Sequence, residues 1–174
     1  MEILIALIAL LLMLSFLIKG TFLPRWGVVV VSVLLALAVR LAIPWLARQP
    51  ADTVNGWISS PDRMLDGAVC LVLEIALMMA FCFTGIQSLL RWYPGLLAFP
   101  AVCWAWSQLL FSRPGIDFTR FAWIASGATL ALALGGSWLQ RRLLPEEDVR
   151  LESLFLINLF LLLATIAATG AITF

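Results

Sequence analysis

A chain of 174 residues that is 63% hydrophobic and only 12% charged, with a mean hydropathy of +1.06, is excluded from the water-soluble globular class and reads as a polytopic membrane protein. A net charge of +1 without long basic runs excludes a nucleic-acid partner and leaves the lipid bilayer as the first one. Histidine is absent, which removes the commonest metal ligand, the usual haem ligand and the usual general base together, so no metal and no cofactor are expected.

The first predicted element is an apolar helix from Ile3 to Phe22. No Lys or Arg precedes it and no small-residue cleavage site follows it, so it is read as a retained span rather than a signal peptide. Lys19 and Arg25 flank its end, and the positive-inside rule assigns them to the cytoplasm and the N-terminus to the outside. A tight Leu23-Pro24-Arg25 turn leads into a second span, Trp26 to Trp45, in which Arg40 lies one turn from Pro44 and can snorkel outward. Residues 49–63 form the longest polar connection, with Asn55-Gly56 and Ser60-Pro61-Asp62 as turn signals and Trp57 as an interfacial anchor.

The third span, Met64 to Leu90, carries Glu74 near its middle and ends in Arg91-Trp92-Tyr93-Pro94. A fourth, Gly95 to Phe111, is short, contains Pro100 and mixes Trp104, Trp106 and Gln108 into its apolar run; a full crossing is expected, with a re-entrant segment as the alternative. The fifth, Phe118 to Leu139, repeats Gly127, Ala131 and Gly135 at every fourth position, the small-xxx-small pattern of close helix contacts within one bundle or between subunits. Pro145 followed by Glu146, Glu147 and Asp148 suits the first turn of a last helix. That helix then crosses as Leu154 to Phe174, with Asn158, Thr165, Thr169 and Thr173 on roughly one face, either lining a path or bonding between helices.

The expected fold is therefore all-α: one transmembrane domain over 1–174, a bundle of about six transmembrane helices, or five if the fourth segment is re-entrant. Six spans put both termini outside, with six basic residues on the cytoplasmic side against five, so the orientation rests on the flanks of the first helix. No half-chain repeat of the inverted-repeat kind is visible.

Glu74 is the chemical oddity. A carboxylate at the centre of a span costs roughly 2.5–3.5 kcal/mol to insert and usually faces protein or a water-filled cavity. Helical spacing places Gly67, Cys70, Met78 and Phe81 on its face with Asp66 towards the outer end, so Asp66 and Glu74 can be two steps of a proton or cation route. The alternative is a protonated, hydrogen-bonded Glu74. Cys70 and Cys82 stand about 18 Å apart along one helix and cannot pair, and with Cys103 they read as packing residues. Nucleotide, serine-hydrolase and zinc motifs are all missing.

Two functional classes remain. One is transport or ion conduction, alone or as a subunit, with Glu74, Asp66, Asn158 and Thr165 as path candidates. The other is a non-catalytic structural or assembly subunit that meets other membrane subunits or copies of itself through Gly127, Ala131 and Gly135. A membrane-embedded enzyme ranks third, with only Asp52, Asp62, Asp66 and Asp117 as candidate groups.

Overall fold

In the computed structural model, the described residues are 2–50, 53–54, 61–84, 89–112, 115 and 117–170. They form helices α1 (Glu2–Gly20), α2 (Arg25–Leu46), α3 (Pro61–Thr84), α4 (Ala98–Phe111), α5 (Phe118–Leu143) and α6 (Glu147–Gly170), with a 3-10 turn at Leu89–Trp92 and no strand among them. All but α4 are long and apolar enough to cross a membrane. Large apolar side chains such as Leu41, Leu73, Phe83, Ile124, Phe160 and Leu163 point outward from the bundle. In water that exterior would oppose folding, whereas in lipid it is the compatible surface, and the chain is a membrane protein.

The helix ends follow local chemistry. Thr21 closes α1 by donating its hydroxyl and its amide to the Ile18 carbonyl, and Pro24, extended at φ −60° and ψ 154°, starts α2. Asp117 caps α5 by accepting the Thr119 amide at 2.9 Å. Glu147 and Asp148 occupy the first turn of α6, where the helix dipole favours negative charge.

Two helix pairs build the bundle, α2 along α5 and α3 along α6, with α1 against α6 and α4 bridging α1 and α2. The end of α3 lies beside the α1–α2 turn, since Phe81 packs edge-on to Phe22 and Arg91 donates to the Phe22 carbonyl. The start of α5 lies at the opposite end, where the Arg40 guanidinium covers the Trp123 ring 4.6 Å from its centroid. The chain between α3 and α5 therefore passes from one end of the bundle to the other, which makes six passages in all. Arg150 stacks on Phe22 at the start of α6, so α6 runs back to the end where α1 begins.

The fourth passage departs from a full helical span. α4 has 14 residues, about 21 Å at 1.5 Å per residue, against the roughly 30 Å of a hydrocarbon core. Pro100 sits in its first turn, where a missing N–H is harmless but the ring clashes with the carbonyl four residues earlier and blocks extension backwards. Gly95 then turns the chain with φ +92°, so residues 93–97 ahead of α4 are irregular backbone, with Gly95 itself buried in the bundle. The helix of the third span is described as far as Thr84, with residues 85–88 outside the described set and a 3-10 turn rather than α-helix at Leu90, while α5 runs on through Arg141 and Arg142 to Leu143.

Candidate functional site

Glu74 lies on the inner face of α3 with Ile75, Met78 and Phe81, and only 5% of its surface is exposed. The Tyr93 hydroxyl donates to Glu74 Oε2 at 2.5 Å, within the short range of hydrogen bonds to a carboxylate. The other oxygen, Oε1, faces Gly95 so closely that a Cβ there would stand 3.0 Å from it and 2.9 Å from the Met78 methyl. The break in the fourth passage thus brings Tyr93 and Gly95 to Glu74, the one buried acid among the described residues. Positive φ and this close approach both require glycine at 95.

A second buried ionisable side chain lies further along the same face. Lys19 is fully buried, its ammonium sits over the Phe81 ring 2.7 Å from the centroid, and Nζ has no hydrogen-bond partner. Seven residues separate Glu74 from Phe81, about 10.5 Å along a helix. One turn before Lys19, Ser15 accepts from Asn158 Nδ2 at 3.1 Å, and the same Nδ2 donates to the Leu154 carbonyl at 2.8 Å. Asn158 is fully buried and its Oδ1 is unpartnered. The α1–α6 seam therefore holds an unsatisfied donor on Lys19 and an unsatisfied acceptor on Asn158, in a setting where each costs about 1–3 kcal/mol or more.

The remaining sequence candidates are dispersed. Asp66, Gly67 and Cys70 are exposed on the first half of α3, and no hydrogen bond joins Asp66 to Glu74. Thr165 is buried but donates to the Leu161 carbonyl of its own helix, and Thr169 does the same to Thr165 and Ile166. Asp117 is a cap, 3.6 Å from Arg120; Asp52 and the Asp62 side chain lie outside the described residues. Trp106 donates to Thr129 at 2.8 Å and so meets protein. All three cysteines are free, and among the described residues no cluster of acids and thiols is arranged to hold a metal.

Gly127, Ala131 and Gly135 are exposed, with open space where a Cβ at either glycine would point. The inward face of α5 carries Ala122, Ala125, Thr129 and Ala133, with Thr129 meeting Trp106 of α4 and Ser126 donating to the Ala36 carbonyl of α2. Two positions along is about 200° around a helix, so close packing within the bundle falls to the other small-residue stripe.

Lys19 is what the sequence reading missed as an interior group. Its signal was present: Ser15 and Lys19 stand four apart, on one face of a helix otherwise apolar there. No family model, curated protein or solved structure matches this chain.

Proposed function

We propose that the chain has a transport or ion-conducting role, alone or as a subunit, with Glu74 as the group that binds a proton or a cation. The observation that carries this is a buried carboxylate set against a break in a membrane passage. Broken helices place backbone and helix ends at a charged site inside a bundle, an arrangement that transporters use at mid-membrane. Tyr93 supports the reading because its hydroxyl can stabilise the ionised form and exchange a proton with it. A helical bundle fits a bacterial inner membrane rather than the barrel-bearing outer one. The basic residues gathered near the α1–α2 turn support a cytoplasmic location for that end, with both termini outside.

The alternative is a structural or assembly subunit. The exposed stripe of Gly127, Ala131 and Gly135 supports it, since small residues facing outward leave room for another helix.

Comparing Glu74→Gln with Glu74→Ala in proteoliposomes, with a pH-sensitive dye inside and an imposed potential, separates the two. For a conducting Glu74, the Gln variant keeps wild-type thermal stability and loses the flux, because an amide neither releases a proton nor carries a full charge. For a structural Glu74, Gln retains most properties while Ala destabilises by about 1–3 kcal/mol. A Glu74→Gln protein that conducts like wild type removes the first reading.

A further inference from the structure

Five cations gather around the α1–α2 turn. Arg91 donates through Nε to the Phe22 carbonyl at 2.7 Å, and Arg141 donates to the Leu23 carbonyl at 2.7 Å. Arg150 stacks on the Phe22 ring at 5.3 Å, Lys19 lies on Phe81, and the two rings touch edge to face. Arg25 and Arg150 both lie within electrostatic reach of Arg141, and Arg91 within reach of Lys19.

Among the described residues none of the five is held in an ion pair. Glu146, Glu147, Asp148 and Glu152 are exposed, and among the described residues the ion pair formed is Arg120 with Asp117, at the far end. Rings and carbonyls hold the cations in place without cancelling their charge. Lys19 Nζ, Arg141 Nε and Arg150 Nε are all buried without a hydrogen-bond partner. Repelling charges with unused donors form a receptor for an anion with several oxygens, which is the description of a phosphate group.

A second observation selects the source of that phosphate. An apolar crevice of about 610 Å³ opens between α1, α4 and α5, lined by Leu14, Leu17, Val102, Leu132, Gly135 and Leu139 among others. At the foot of the crevice Leu17 lies against Gly136, Gly20 lies against Ser137 one position further on, and Arg141 donates to the Gly20 and Leu23 carbonyls, so the α1–α5 seam leads from the crevice to the Arg141 side of the basic cluster. Gly135, where a Cβ would meet nothing within 4 Å, and the exposed Ala131 help to hold it open.

We infer that this end of the bundle binds an anionic phospholipid, with its phosphate among Arg25, Arg141 and Arg150 and an acyl chain in the crevice. Lys19 and Arg91 stand behind and add to the positive potential. Basic pockets between helices near a membrane face suit anionic headgroups, and a headgroup carrying its own apolar chain uses both features where a soluble phosphate uses one.

Thermal unfolding of delipidated protein in mild detergent, titrated separately with phosphatidylglycerol, phosphatidylcholine and inorganic phosphate, tests this. A ligand that binds the folded state raises the midpoint in proportion to its occupancy. Phosphatidylglycerol is expected to raise it, with phosphatidylcholine well behind and inorganic phosphate without effect. Arg141→Gln and Arg150→Gln should each weaken the apparent affinity for phosphatidylglycerol about fivefold. Gly135→Leu should weaken it by filling the crevice, with the lipid-free midpoint unchanged. An equal rise with phosphatidylcholine, a rise with inorganic phosphate matching that of the lipid, or undiminished affinity in both arginine variants and in Gly135→Leu would each overturn the inference.

Discussion

Replacing Gly95 with alanine probes the point where the break in the fourth passage meets Glu74. Two effects add. The backbone there has φ +92°, a conformation that costs an L-residue about 1–2 kcal/mol. The new Cβ also arrives 2.9 Å from the Met78 methyl and 3.0 Å from Glu74 Oε1. The methionine end is flexible and can yield. Glu74 can yield only by disturbing the bond from Tyr93, and a hydrogen bond to a charged group contributes about 1.5–3 kcal/mol. With some of that recovered as Tyr93 follows, the expected loss is about 2–4 kcal/mol. Reversible unfolding in detergent, followed by tryptophan fluorescence, measures it. In a cycle with Tyr93→Phe the double variant should lose at least about 1 kcal/mol less than the sum of the singles, because both act on one contact. A Gly95→Ala protein within about 0.5 kcal/mol of wild type, or strictly additive losses, refutes the reasoning.

The two small-residue faces of α5 should respond oppositely. Ala122→Leu, at a site with no exposed surface against α2, should destabilise the protein by about 1–3 kcal/mol through overpacking. Gly127→Leu, with open space around it, should leave the unfolding midpoint unchanged and alter only the oligomeric size, if that face meets another helix; size-exclusion chromatography reads the second effect. For topology, cysteines introduced at Gln49 and at Glu147 should be labelled by an impermeant reagent from opposite sides of the membrane, because α2 ends and α6 begins at opposite ends of the bundle. Labelling of both from one side contradicts six passages.

How far the sequence could be read depended on the range of the interaction. Apolar run length is a local property that the membrane itself selects, because only a helix satisfies its own backbone in lipid. Five long helices and the all-α class were therefore visible in it, as were the acidic first turn of α6 and the oddity of Glu74, whereas Asp117, read there only as a candidate acid, is a helix cap. Short length and Pro100 marked the weak fourth passage, although not the depth at which its helix would start. What lay beyond reach was which faces meet. In water, burial follows apolarity, so a helix announces its inner side; in a bilayer the outer side is apolar too, and the pattern carries little of that signal. Hence Ala122 and Ala133, not Gly127 and Gly135, pack on α2, and Asp66 falls on the exposed side while Glu74 turns inward. Hence also Lys19, which reads as the aqueous flank of a span, is drawn into the interior by the Phe81 ring of a helix more than 60 residues away in the chain. Tyr93 reaches Glu74 only because the chain breaks and folds back between them. Such contacts are decided by three-dimensional packing, where the position of one side chain depends on a partner that no local spacing specifies.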